Sequence, residues 1–375
     1  MRSLSENISR LAAARGAAPG GGGVVDRLTA APVARSNPGA LDARAYVPKG
    51  LAPGAPLVVA LHGCTQSAAG YDHGTGWSTL ADQEGFALLF PEQVRTNNPN
   101  LCFNWFQPGD IGRTGGEAES IAELTEAMLA RHDLDRGRVF VTGLSAGGAM
   151  TAVMLATYPD LFAGGAIIGG LPYGCAADVP EALRQMRERE SGDDPALADR
   201  VRRAAEGYAG PWPSVSLWHG SADATVSVSN MERLGRQWRR VHGIEDATPS
   251  VANEPGVEHR AWTGADGRPL VEEWRIAGMG HGVPIDPAGP ERLGAVGPYM
   301  LDAGVSSTAR IARTWGLVSS AETVVERPAA ATTGRLTRIA APEQVQDGGR
   351  EPADALTDGI QQTIERALRS AGLMR

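Results

Sequence analysis

The chain has 375 residues, 42% of them hydrophobic, which is enough apolar material for one large core or two modest ones and excludes disorder throughout. Its 35 basic and 43 acidic residues give a formal net charge of -8 with no long Lys/Arg run, which argues against nucleic acid or an anionic membrane surface as partner. No segment approaches the roughly 20 apolar residues needed to span a bilayer.

The opening stretch Met1-Arg2-Ser3-Leu4-Ser5-Glu6-Asn7 is polar and charged where a secretory signal needs an apolar run, so a cytoplasmic protein is expected. Residues 1–35 read as a flexible arm, with a short helix around Leu4, Ile8 and Leu11 followed by Gly20-Gly21-Gly22-Gly23. From Asp42 to Val47 onward, strand-length apolar runs alternate with helical segments. The runs are Leu57–Leu61, Phe86–Phe90, Val139–Val141, Gly165–Ile168, Val215–Trp218 and Val271–Ile276. Continuous apolar strands separated by helices predict an α/β protein with a mostly parallel sheet covered on both faces. Between them, Glu117–Arg131 places Ile121, Leu124, Met128 and Leu129 near one helical face. Residues 178–210 form a charged, helix-prone insertion, readable as a lid or as a solvated helical pair. Asp266-Gly267 marks a hairpin between Glu258–Trp262 and the last strand, so the sheet is expected to end in an antiparallel pair. Beyond Leu317 comes a 318–375 extension with one amphipathic helix carrying Leu356, Ile360, Ile364, Ala367, Leu368 and Ala371. That helix would either dock on its own domain or mediate homo-oligomerisation. Residues 36–317 would then form the catalytic domain.

The chemistry concentrates at Gly143-Leu144-Ser145-Ala146-Gly147, directly after the run Arg138–Thr142. A nucleophilic serine on a sharp strand-to-helix turn needs small residues two before and two after it, and Gly143 and Gly147 meet that demand. Ala149–Ala156 then continues as a good helix, whose N-terminal N–H groups would point at the serine. A serine hydroxyl needs a histidine base, and the base needs a carboxylate that fixes its tautomer. His281, in the loop Gly278-Met279-Gly280-His281-Gly282 after the last strand, is the expected base. His259 would lie within a strand, His242 follows no obvious strand, and His62, His73 and His132 precede the serine. Asp223, in the loop after the strand ending at Trp218, is the expected acid; Asp246, Asp266 and Asp286 are less well placed, and His219 is expected to brace the loop. The oxyanion donors expected are the backbone N–H groups of Ala146 and Cys64, the latter in His62-Gly63-Cys64-Thr65-Gln66. Only three cysteines occur, none at zinc-ligand spacing, so no metal site is expected; this sparse usage fits a reducing compartment and leaves a Cys64–Cys102 bridge open.

With these pieces aligned, the chain resembles the poly(3-hydroxybutyrate) depolymerase-type esterases, which are related to feruloyl and acetylxylan esterases within the α/β-hydrolase fold. The likeness runs from about residue 42 to Leu317. It is carried by Leu61–Gln66, Pro91-Glu92-Gln93, Cys102-Phe103-Asn104-Trp105-Phe106, Val141–Met150, Gly169–Cys175, Trp218–Val226, Gly278–Gly282, Asp302–Thr308 and Trp315-Gly316-Leu317. The resemblance maps the family's triad onto Ser145, Asp223 and His281. It implies a serine carboxylic ester hydrolase that works through an acyl-enzyme, without cofactor, on small-molecule or oligomeric esters with short acyl or hydroxyalkanoate groups. The alternatives are a feruloyl or acetylxylan-type carbohydrate esterase, and an acyltransferase using the same triad. Two departures bear on the substrate: Phe103 stands where many members carry Trp, and Gly282-Val283 where they carry Ala-Trp, so an aromatic wall of the acyl pocket is expected to be missing. Nothing in residues 318–375 resembles a polymer-binding domain, which favours soluble esters. Trp77 and Trp105 are candidates to line the cleft, with core packing the equal alternative for each.

Overall fold

The computed structural model describes residues 23–190 and 194–318. The chain enters through β1 (Thr29–Ala30) and β2 (Asp42–Tyr46) and continues as β3 (Leu57–Leu61), α1 (Ala68–Thr75), α2 (Trp77–Glu84), β4 (Ala87–Glu92) and α3 (Gly116–His132). Then follow β5 (Val139–Leu144), α4 (Ala146–Thr157), β6 (Gly164–Ile168), α5 (Val179–Arg187), α6 (Ala196–Ala204), β7 (Ser214–Gly220) and α7 (Ser229–His242). The last elements are β8 (Ser250–Glu254), β9 (Val257–Thr263), β10 (Pro269–Ile276), β11 (Val283–Ile285), β12 (Met300–Asp302) and α8 (Ser307–Thr314).

The main sheet runs β1-β2-β4-β3-β5-β6-β7-β10-β9-β8. Its centre, from β4 to β10, is parallel throughout, while β2 and β9 pair antiparallel at either end. The expected α/β architecture is therefore present. Every residue of β3, β5 and β6 is buried, as a sheet covered on both faces requires. All twelve residues of α4 are buried too, so the helix behind Ser145 is enclosed by protein all round. The expected antiparallel ending is also present, closed by Gly267 N–H donating to Gly264 O. It is extended by β8, whose residues are all exposed.

Aromatic side chains tie the late strands and the end of the described chain to the sheet. Trp218, Trp274 and His259 occupy one cross-strand row, and Trp274 stacks on both neighbours, with centroids at 4.6 Å and 3.7 Å. Trp315, just after α8, stacks on Phe140 at 4.7 Å and on Trp77 at 6.2 Å.

Two expectations are refined, and two more fall outside the described residues. The loose arm does not reach to residue 35: Leu28 is buried, Thr29 and Ala30 pair with β2, and Arg27 forms an ion pair with Asp82. The helices of the 178–210 insertion are docked on the domain through a few buried side chains, while Arg184, Asp199 and Arg202 stay exposed to solvent. Met186 O in α5 accepts from Ser227 N, Arg200 reaches Gly174 O, and α6 packs on α4 and α7 through Leu197, Ala198 and Val201. Finally, the short helix around Leu4, Ile8 and Leu11 and the amphipathic helix at Leu356–Ala371 lie outside the described residues.

One buried polar cluster organises the loop between β4 and α3. Glu117, at the start of α3, accepts from Gln93 Nε2 at 2.5 Å, Asn104 N at 2.8 Å and Asn104 Nδ2 at 2.8 Å. Burial, reinforced by the nearby Asp110 charge, pushes its carboxyl up to about 8 despite these donors. Folding therefore binds a proton that the unfolded chain releases above its ordinary value of 4.5. The stabilisation is present below that value and is lost as pH rises towards about 8, at up to about 1.4 kcal/mol per pH unit. Urea unfolding from pH 5 to 8 should show the wild type losing stability relative to Glu117→Gln; a difference independent of pH would contradict this.

Candidate active site

The C-terminal ends of the parallel strands assemble the site. Ser145, between β5 and α4, has φ 58° and ψ -116°, a conformation costly for a residue with a side chain and characteristic of a nucleophile elbow. The flanking glycines are needed for close approach. A Cβ on Gly143 would collide with the Gly147 carbonyl, and one on Gly147 with the carbonyls of Leu61 and His62. The elbow is thereby pressed against the end of β3 and its following loop, and Ser145 N–H donates to Ile168 O of β6 at 2.9 Å.

Asp223 emerges from the loop after β7 and is almost completely buried, as is the side chain of His281. His281 Nδ1 lies 2.7 Å from Asp223 Oδ2. Asp223 Oδ1 accepts from Thr225 N at 2.8 Å and Val226 N at 2.9 Å. His219 Nε2 approaches Oδ2 at 3.3 Å and Val226 O at 2.8 Å; since a carbonyl only accepts, this nitrogen carries the proton. Burial alone would push the Asp223 carboxyl upward, but His281 and His219 together hold it well below the usual carboxylate range. Asp223 is therefore an anion with a fixed rotamer. His219 braces the loop as expected, and does so partly through the carboxylate itself.

The acid and histidine loops are joined backbone to backbone. Ser221 N–H donates to Ile276 O at 2.9 Å, Ala222 N–H to Met279 O at 3.0 Å, and Gly278 N–H to Ser221 Oγ at 2.9 Å. Gly220 permits this crossing, because a Cβ there would strike the Met279 carbonyl. His281 then faces Gly169, just after β6: a Cβ built on Gly169 would lie 3.2 Å from His281 Cε1 and 3.7 Å from Asp223 Oδ2. Ser145 and His281 thus flank the same strand end. No hydrogen bond joins Ser145 Oγ to the His281 ring among the described residues, a separation common where catalytic bonds tighten only with substrate.

Ala146 directly follows Ser145 in the elbow, and Cys64 lies in the loop just after the Leu61 and His62 carbonyls on which the elbow rests. Neither backbone N–H donates to an acceptor among the described residues. Cys64 is bonded to Cys102, which settles the bridge left open by counting. His62 orients the Cys64 peptide. Its Nε2 accepts from Gln93 N at 3.1 Å, so Nδ1 carries the hydrogen and donates to Gly63 O at 2.8 Å. Holding that carbonyl turns the N–H of the same peptide, that of Cys64, to the opposite side. Burial pushes His62 down to about 4, keeping it neutral in this role. Gln66 Oε1 secures the adjoining Gly63 N–H at 2.8 Å. The spacing gave no signal of the His62 and Gln93 contributions.

The aromatic candidates fare differently. Trp77 is 2% exposed and packs between Phe86 and Trp315, so its place is the core and not the cleft. Trp105 is 7% exposed and packs edge-on against Phe106. Phe103 is fully buried behind His62, with ring centroids 5.1 Å apart, and Val283 is fully buried as well, so neither position forms an open wall. Among the described residues no cluster of His, Cys, Asp and Glu is arranged to hold a metal, and no helix is long and apolar enough to cross a membrane.

Comparison with known proteins agrees with this architecture. Residues 41–259 match the family model described as esterase PHB depolymerase. The chain is 47% identical over 285 residues to poly(3-hydroxyalkanoate) depolymerase C of Paucimonas lemoignei, covering 76% of this chain and 68% of that protein. It is 34% identical to an acetylxylan esterase of Coprinopsis cinerea, covering 66% of this chain and 67% of that protein, and 32% identical to feruloyl esterase B of Talaromyces stipitatus, covering 67% and 70%. The solved acetyl xylan esterase from Aspergillus awamori superposes with a TM-score of 0.66 at 25% identity, covering 78% of this chain and 99% of that one. The cytoplasmic expectation is overturned by these relatives, which are secreted enzymes. The Cys64–Cys102 disulfide, a bond that persists in oxidising compartments, also counts against the reducing compartment expected from cysteine usage. The chain belongs to the PHB depolymerase family of α/β-hydrolase esterases and is a carboxylic ester hydrolase.

Proposed function

We propose that Ser145, His281 and Asp223 hydrolyse esters of short acyl and hydroxyalkanoate groups through an acyl-enzyme. The observation that carries this reading is the fourfold-bonded Asp223 carboxylate held on His281 Nδ1, at the strand end that also receives Ser145 N–H. The carboxylate fixes the hydrogen of neutral His281 on Nδ1 and leaves Nε2 to take the proton of Ser145 Oγ as it attacks the ester carbon. The developing oxyanion is met by the N–H groups of Cys64 and Ala146, which have no acceptor of their own to give up. Collapse breaks the bond to the alcohol oxygen, which leaves with the proton from His281. Water, deprotonated by the same histidine, then releases the carboxylic acid and restores Ser145.

The hydroxyalkanoate substrate class is supported by the depolymerase relative at 47% identity. Acetylated carbohydrate is the second reading, favoured by the acetyl xylan esterase at TM-score 0.66. Comparing kcat/KM on soluble hydroxybutyrate oligomers with that on acetylated xylo-oligosaccharides discriminates the two. Trp105 belongs to this reading only as a candidate at the cleft, and residues 36–317 as the catalytic domain.

Ser145→Ala should lose on the order of 10³ to 10⁶ in kcat, and Asp223→Asn about 10⁴, while both remain folded. Folded variants within about tenfold of wild type would refute the triad. The acid limb of log kcat/KM against pH should fall with unit slope, since one protonated base stops the reaction. His62→Phe should lower kcat by about tenfold to a hundredfold with KM little changed, less than outright loss of an oxyanion donor. A change confined to KM would count against its place behind Cys64.

A further inference from the structure

The segment after His281 carries an aromatic side chain in a backbone conformation that favours glycine. Gly297-Pro298-Tyr299-Met300 is a tight turn closed in both directions, with Met300 N–H donating to Gly297 O at 3.0 Å and Gly297 N–H to Met300 O at 3.3 Å. Proline follows the first turn residue and Tyr299 has φ 64°, the pattern of a type II turn, whose third position calls for Gly or Asn. A tyrosine there costs stability that glycine would not, and such strain persists where the side chain has a use.

The turn is held on both sides. Val283 N–H, two residues after His281, donates to Tyr299 O at 2.8 Å, and Met300 is buried against Gly74 of α1. The half-buried Tyr299 ring is thereby delivered edge-on to the His281 imidazole, with centroids 6.3 Å apart and planes at 80°. Its hydroxyl makes no hydrogen bond among the described residues. Of the other positions considered for the cleft, Trp77, Phe103 and Val283 are buried in packing, and Trp105 packs edge-on against Phe106.

We propose that Tyr299 determines specificity, its ring forming the wall against which the alcohol portion of the ester packs. The proposal rests on His281 being the general acid. His281 must hand its proton to the leaving oxygen, so the alcohol portion passes beside the imidazole, and a ring bordering that imidazole touches it. The occupant that fits is an alcohol with an extended apolar or flat surface, such as the next hydroxyacyl unit of an oligomer, in preference to methanol.

The test compares benzyl butyrate with methyl butyrate, which share an acyl group and differ in the alcohol. In Tyr299→Gly and Tyr299→Asn, the benzyl-to-methyl ratio of kcat/KM should fall about threefold to tenfold, the worth of one aromatic contact, with the loss carried by KM. Tyr299→Phe keeps the ring and should keep the ratio. Tm of Tyr299→Gly should equal or exceed that of the wild type, because the left-handed turn is relieved. Loss of the ratio without loss of Tm is an outcome that a purely structural tyrosine would not produce. An unchanged ratio in both Tyr299→Gly and Tyr299→Asn, or a ratio lost equally in Tyr299→Phe, overturns the proposal. Labelling with a small alkyl fluorophosphonate separates the two readings: wild type unlabelled at Ser145 defeats the triad, whereas labelled variants with an unchanged ratio defeat only the role of Tyr299.

Discussion

The site depends on backbone segments touching where side chains are absent. At the C-terminal edge of the parallel sheet, the elbow rests on the carbonyls of Leu61 and His62, and the histidine loop crosses the acid loop at Gly220. These contacts leave no room for a methyl group. They convert three loops from distant parts of the sequence into one rigid frame, which is how Ser145 and His281 are held at the same sheet edge with no hydrogen bond joining their side chains among the described residues. The strain at Ser145 is sustained by the fully buried α4 on one side and the bond to Ile168 on the other.

Electrostatics follow from that frame. Asp223 is buried yet anionic because two backbone N–H groups and two imidazoles meet it, an arrangement that makes a desolvated carboxylate affordable and keeps it aimed at His281. Glu117 shows the opposite outcome in the same molecule. Its donors belong to neutral amides and a neighbouring acid repels its charge, so burial prevails and the carboxyl holds its proton. The Glu117 cluster in turn fixes Gln93, whose N–H sets the His62 tautomer behind Cys64.

The central strands were legible in the sequence because burial on both faces writes a continuous apolar run, as in Leu57–Leu61. β8 was not, since Ser250–Glu254 is exposed at every residue and has no such run. The strained turn at Ser145 and the pairing of Asp223 with His281 were legible because the elbow imposes its glycines and loops after later strands meet at the same sheet edge. Trp77 was misjudged as readily as placed, because the ring that covers it, Trp315, arrives from the far end of the described chain. Tyr299 gave no signal: Pro298 marks a turn, but nothing local says that a tyrosine will occupy the position that glycine prefers, or that the turn will close beside His281.

The central claim is that ester cleavage passes through an acyl group carried by Ser145. Rapid acid quench of the wild-type enzyme with p-nitrophenyl butyrate, followed by peptide mass spectrometry, tests it directly. A nitrophenol burst approaching one equivalent of enzyme is expected, with a butyryl group on the peptide containing Ser145 that is absent in Ser145→Ala. Turnover with no acylated peptide and no burst, or acylation of a different residue, would contradict it.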